Sequence, residues 1–166
     1  MYHSFVRRRI RNLFEHINQG NAQPFLDGLA PEFEHIFIGD HAMAGRRISR
    51  EQTAEWYARL YRLLPKITFD PQRIDVAGGP WNTIAVVEWF ESNEASDGVA
   101  TTTAGVHVVT IKWGKVTRLL ILSDTATVHD MLARTAESSG GESQSPALDE
   151  APGWPAPVGE TSRSLG

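Results

Sequence analysis

Between Gly105 and Asp124 the chain reads Gly-Val-His-Val-Val-Thr-Ile-Lys-Trp-Gly-Lys-Val-Thr-Arg-Leu-Leu-Ile-Leu-Ser-Asp, and no other stretch constrains the fold as much. Two β-rich runs flank Trp113-Gly114-Lys115, which is the pattern of an antiparallel hairpin. Side chains alternate along a strand. A turn with an even number of residues therefore puts Gly105, His107, Val109 and Ile111 on one face with Arg118, Leu120, Leu122 and Asp124. With Gly114-Lys115 as the turn, His107 stands opposite Leu122, and Asp124 lies one pair further along at the diagonal spacing of roughly 7–8 Å. The expected result is a titratable His and a titratable Asp on one largely apolar surface.

The chain before the hairpin supplies helices to cover such a surface. Val6, Ile10, Leu13, Phe14 and Ile17 form the 3.6-residue stripe of an amphipathic helix that Gly20 stops. Asn21 can cap a short second helix carrying Phe25, Leu26 and Leu29, with Pro24 in its first turn and Pro31 at its end. A strand is expected over residues 33–38, followed by a loop through Gly39-Asp40-His41. Ser49-Arg50-Glu51-Gln52 has the pattern of a capping box and opens a third helix, which Pro65 closes. Strands then follow over 67–76, 81–92, 99–113 and 116–123, separated by Gly78-Gly79-Pro80 and Asp97-Gly98 turns. Thr125 to Arg134 reads as a last short helix with Asp124 at its N-cap position.

This order is that of an α+β domain spanning residues 1–137, with a curved, mostly antiparallel sheet wrapped over helices. The long strands are apolar on both faces. One face is expected to meet the helices and a pocket, and the other a second copy of the chain in a homodimer. Residues 138–166 are Ser, Gly, Pro and acid with few large apolar side chains, and are expected to be a disordered tail.

Composition limits the function. The net charge is −4, part of it from Glu142, Asp149, Glu150 and Glu160 in the tail, so the body is nearly neutral and no general case for nucleic-acid binding exists. There are no cysteines, which removes disulfide and thiolate chemistry. No run reaches the length of a membrane span and the first residues lack the apolar core of a secretory signal, so a cytoplasmic protein without a membrane partner is expected. Phosphate-binding loops, dinucleotide fingerprints, nucleophile elbows and zinc-binding His-Glu-x-x-His spacing are absent.

A resemblance is carried by Asn12-Leu13-Phe14-Glu15-His16-Ile17-Asn18-Gln19-Gly20-Asn21, Pro31-Glu32-Phe33-Glu34-His35, Gly45-Arg46-Arg47 and the hairpin from Lys115-Val116 to Asp124. Over about residues 3–135 the sequence resembles the SnoaL-like branch of the NTF2-like superfamily, related to ketosteroid isomerase and limonene-epoxide hydrolase. The resemblance implies a cone: a strongly curved sheet over three N-terminal helices and a short C-terminal helix, around an apolar pocket. The isomerase tyrosine falls at Leu13, its general-base aspartate near His35 or Ile36 and its second aspartate near His107. The epoxide hydrolase water-holding pair falls at Phe33 and His35, and its central-strand Arg and Asp at about Trp89 and Glu91. Neither constellation is present. The polyketide-cyclase pattern matches in part, with an acid at the end of the last strand, Asp124, and a pocket histidine, His107, and it implies chemistry without metal or cofactor.

The expected site therefore has Asp124, His107 and His35 as catalytic residues. Phe33, Phe37, His41, Trp89, Leu122 and Leu13 line a pocket for a small apolar, carbonyl-bearing molecule. Two readings of Asp124 stay open. A desolvated carboxylate acts as a base with a raised pKa, whereas a helix cap accepts backbone N–H bonds and has a lowered one. The expected activity is cofactor-independent isomerisation, aldol cyclisation or dehydration. The alternative is a non-catalytic ligand-binding or protein-association domain.

Overall fold

The computed structural model describes residues 1–151; Trp154 and the rest of the expected tail from residue 152 lie outside the described residues. Helices α1 (Tyr2–Asn18) and α2 (Gln23–Gly28) come first, then strands β1 (Leu29–Phe37) and β2 (Gly45–Arg47), and helix α3 (Arg50–Leu63). Strands β3 (Thr68–Gly79), β4 (Asn82–Glu94), β5 (Ala100–Lys112) and β6 (Lys115–Ser123) follow, with helix α4 (Thr125–Arg134) and a 3₁₀ turn at Glu142–Gln144. The α1 stripe folds as its periodicity requires, with Val6, Ile10, Phe14 and Ile17 buried. At the start of α3 the Ser49 hydroxyl accepts from the Gln52 amide at 3.2 Å, the cap expected there.

All six strands form one sheet in the order β2-β1-β6-β5-β4-β3. β1 runs parallel to β6, and the other neighbours are antiparallel. This is the NTF2-like cone: the curved sheet closes over α1, α2 and α3, and α4 covers one end. Pro71 sits at a bulge on the edge strand β3, where its missing N–H costs no ladder bond.

The β5–β6 register departs from expectation by one residue. The turn is Trp113-Gly114 between paired Lys112 and Lys115, with φ of 50° and 79° at its two residues, as a two-residue hairpin turn with left-handed central positions requires. A bulge between Thr110 and Ile111 then sets His107 opposite Ile121. One residue of slip exchanges the faces of a strand. Leu120 and Leu122 consequently point to the outer face with Val106 and Val108, and His107 shares the inner face with Leu119 and Ile121.

The segment past Ser138 also departs from expectation where it is described. Arg62 holds Glu142 through bonds of 2.6–3.2 Å. The carbonyls of Pro146 and Leu148 accept from Arg59 and Arg47 at 2.9 and 3.0 Å. Glu150 accepts from the amides of Ile48 and Ser49 at the start of α3. This strap is held by polar bonds to arginines and a helix start, so its poverty in apolar residues did not announce its order.

Candidate functional site

The inner face of the sheet is built from ladder rows. Val87, His107 and Ile121 form one row across β4, β5 and β6; Trp89, Gly105 and Ser123 form the next; Glu91 and Thr103 form the one beyond. Against these rows α1 lays Ile10, Leu13, Phe14 and Ile17, and between helix and sheet lies a cavity of about 170 Å³. Its wall is almost wholly apolar and aromatic, with Phe37, Trp56, Phe69 and Trp89 from four elements. Phe5 and Arg9, both exposed, stand at its rim.

His107 is the central polar group of this wall. Its ring stacks on Phe14 at 5.3 Å with an interplanar angle of 20° and meets the Trp89 ring edge-on at 5.3 Å. Among the described residues no protein group bonds to its ring nitrogens, and what surface it keeps faces the cavity. Desolvation by burial lowers its pKa to about 3, so the imidazole is neutral at physiological pH. Gly105 makes this geometry possible. A Cβ there would lie 2.4 Å from Trp89 Cη2 and Cζ2, so only glycine lets the indole cross β5 beside His107.

Glu91 is the one carboxyl among the described residues of the cavity wall, only 5% exposed. Burial raises its pKa, and a hydrogen bond from the Asn93 side-chain amide opposes that rise. Sequence reasoning placed Glu91 at a position of interest in a related enzyme but did not select it. The available signal was its parity with Trp89 on one strand, which puts both on the inner face.

The family is decided by a sequence match of residues 10–119 to the SnoaL-like domain. The chain belongs to the SnoaL-like family. No curated protein sequence matches it. Among solved structures, this SnoaL-like chain is similar to an NTF2-like protein from Burkholderia pseudomallei, with a TM-score of 0.67 and 16% identity over 75% of this chain and 95% of that one. It is similar to TerC, crystallised with polyporic acid, with a TM-score of 0.64 and 21% identity over 74% and 93% of the two chains. It is also similar to IdmH from Streptomyces antibioticus, a proposed polyketide cyclase, with a TM-score of 0.60 and 18% identity over 75% and 95%. At these identities the likeness is one of fold.

Within the SnoaL-like cone the expected residues divide. Leu13, Phe37, Trp89 and His107 line the cavity. Asp124 does not: it is exposed and caps α4, accepting from the Thr127 amide at 3.2 Å and hydroxyl at 2.8 Å. Those bonds hold its carboxyl below the usual carboxylate range, the opposite of the shift a desolvated base needs. Leu122 is on the outer face and 39% exposed, because of the register slip. Phe33 is packed in the core outside the cavity wall.

His35 and His41 are likewise outside the cavity. His35 is fully buried, where Arg47 Nε donates to its Nδ1 at 2.9 Å, and it packs edge-on against Trp56 at 4.7 Å. Burial, and then the adjacent Arg47 charge, lower its pKa. It positions the buried Arg47, which also donates to the carbonyls of Ala44 and Gly45. His41 lies in a separate depression with Asp40, His129 and the strap. Its Nδ1 accepts from the Met43 amide at 3.3 Å, and burial lowers its pKa to about 4. Among the described residues no three His, Cys, Asp or Glu side chains come together as a metal site, and no helix is long and apolar enough to cross a membrane.

Proposed function

We infer that the cavity binds a small apolar ring compound bearing a carbonyl, and that His107 moves a proton at the carbon beside that carbonyl. The carrying observation is a neutral imidazole with no hydrogen bond from any of the described residues, set between aromatic rings in an apolar cavity. A structural histidine normally has a partner on at least one ring nitrogen, as His35 has Arg47 on its Nδ1. His107 keeps its acceptor nitrogen for a ligand.

In the step proposed, the C–H bond breaks, an N–H bond forms on His107, and the electron pair passes through the carbon to the carbonyl oxygen as an enolate. Returning the proton to another carbon gives isomerisation, and attack of the enolate on a second carbonyl gives aldol closure. The desolvation that keeps His107 neutral also weakens it as a base. Transfer therefore depends on stabilising the charge that develops on oxygen. The designation of IdmH as a proposed polyketide cyclase and the SnoaL-like fold support this class of chemistry.

The test is solvent deuterium exchange at the carbon next to the carbonyl of 1-tetralone, followed by NMR with wild type, His107→Gln and Asp124→Asn. The reading requires exchange in wild type and Asp124→Asn and a loss of about 10²-fold or more in His107→Gln. Equal rates in all three refute it. Binding without exchange in wild type selects a non-catalytic ligand-binding domain instead.

The outer sheet face supports a second copy as its partner. Ile84, Phe90 and Leu122 are exposed there, beside half-buried Val86, Val106, Val108 and Leu120.

A further inference from the structure

The exposed members of the cavity wall, Phe5, Arg9 and Pro80, stand together at one end of the cone. Three elements meet there. The first turn of α1 reaches the tip of the β3–β4 hairpin, where the Gly78 carbonyl accepts from His3 Nε2 at 2.8 Å. That tip touches the tip of the β5–β6 hairpin, the Trp113 amide donating to the Pro80 carbonyl at 2.6 Å. Arg9 closes the circle, its Nη1 lying 3.6 Å from where a Cβ on Gly114 would stand. The mouth of an apolar cavity is therefore framed by one helix and two turns.

Each turn holds a tryptophan that its geometry does not require. Pro80-Trp81 lies between paired Gly79 and Asn82, and Trp113-Gly114 between paired Lys112 and Lys115. Trp113 has φ of 50°, where Asn or Gly is the ordinary choice, and is 75% exposed; Trp81 is 64% exposed. Phe5, half exposed, adds a third ring at the same mouth. Cations stand among these rings. Lys112 and Lys115 flank Trp113, the Arg8 guanidinium lies 5.9 Å from the Phe5 ring centre, and Arg9 is at the rim. The sequence keeps acids off the framing elements: none occurs before Glu15, between Asp75 and Glu88, or between Asp97 and Asp124. Asp27 and Glu32 approach from the side of α2 and β1, where Leu29 pairs with Val116 and the Asp27 carbonyl accepts from Lys115 Nζ at 2.9 Å.

We propose that this end of the cone docks on an anionic lipid surface, with Trp81, Trp113 and Phe5 seated among the headgroups and the neighbouring arginines and lysines against the phosphates. Indole rings beside Lys and Arg are the composition of surfaces that lie in the membrane interface, whereas lysine is depleted from the cores of protein interfaces. Charge selects the same partner, because four cations gathered at one end are attracted to an anionic leaflet. Docking sets the cavity mouth against the acyl region, and an apolar ligand then passes from bilayer to cavity without crossing water. That transfer rests on the ligand reading above; the docking does not. The expectation of no membrane partner rested on the absence of a spanning segment, and a seated end needs none.

Vesicle co-sedimentation tests the docking. Wild type is expected to bind phosphatidylcholine vesicles carrying about 30% phosphatidylglycerol, to bind pure phosphatidylcholine at least about tenfold more weakly, and to lose that difference in about 0.5 M salt. Trp81→Gln with Trp113→Asn removes both rings and gives the left-handed turn position a residue that suits it; Arg8→Glu with Lys112→Glu reverses the charge beside them. Each pair is expected to weaken binding to the anionic vesicles about tenfold or more. Wild type that ignores anionic vesicles, or folded variants that bind them as wild type does, overturns the proposal. A wild-type dimer that stays off vesicles and is dissociated by the tryptophan substitutions gives this end to a second copy and likewise overturns it. Should the variants not fold, quenching of wild-type tryptophan fluorescence by lipids brominated on their acyl chains decides: quenching is expected, and none overturns the docking. Vesicle binding without tetralone binding overturns the ligand reading alone, and tetralone binding without vesicle binding overturns the docking alone.

Discussion

Lowering the pH should reveal how strongly the cone resists charging His107. Its pKa lies near 3 in the fold against a reference value of 6.5. Protons therefore bind the unfolded chain more tightly, and the stability this group contributes is fully present above about pH 6.5 and lost as pH falls toward 3. Between about pH 7.5 and about pH 5 the unfolded imidazole goes from mostly neutral to almost fully protonated, while the folded one stays neutral. The linkage integral over that interval is about 2 kcal/mol. His35 and His41 shift in the same direction and Glu91 in the opposite one, so the total slope does not isolate His107. His107→Gln does, because glutamine keeps polarity and does not titrate. Urea denaturation of both proteins at the two pH values, analysed with a common slope, should show wild type losing about 2 kcal/mol more than the variant. Parallel losses, within about 0.5 kcal/mol, would mean that His107 is as free to charge in the cavity as in water, and the account of a neutral, desolvated imidazole would be wrong.

Other perturbations follow from the same geometry. Gly105→Ala drives a methyl into the Trp89 indole and the Leu122 carbonyl, both 2.4 Å from the ideal Cβ. It should cost about 1–3 kcal/mol in denaturation and weaken tetralone binding by reshaping the cavity wall. Asp124→Ala removes the α4 cap and should lower the melting temperature by a few degrees, leaving tetralone exchange unchanged; a loss of exchange would restore Asp124 to the chemistry. Leu122→Glu places a charge on the outer sheet face and, under the proposed pairing of two copies there, should shift sedimentation toward monomer without altering ligand affinity.

Much of the cone was legible in the sequence because its signals are local or periodic. The α1 stripe, the Ser49 cap and the alternating strands each carry their own instruction, and the SnoaL-like resemblance assembled them. The site was legible only in part, since a single residue of register decides which face a side chain takes. The turn at Trp113 and the bulge at Thr110–Ile111 moved Leu122 and the approach to Asp124 off the cavity face and kept His107 on it. Nothing in the spacing fixes a bulge, and a non-glycine residue with φ of 50° at Trp113 is not the expected turn residue. His35 was legible as inward-facing but not as the partner of a buried arginine, because the Arg47 contact depends on pairing β2 with β1. Glu91 was missed because an acid flanked by Phe90 and Ser92 on a strand reads as solvated until its parity with Trp89 is followed inward.

His107 can be watched directly in the intact protein by long-range ¹H–¹⁵N correlation of its imidazole nitrogens, with and without 1-tetralone. The account predicts a neutral ring from about pH 7.5 down to about pH 5, with its nitrogens shifted on adding tetralone and those of His41 and His129 unmoved. A His107 that titrates near its reference value, or that ignores the ligand, would contradict the claim that this imidazole is the proton-handling group of the cone.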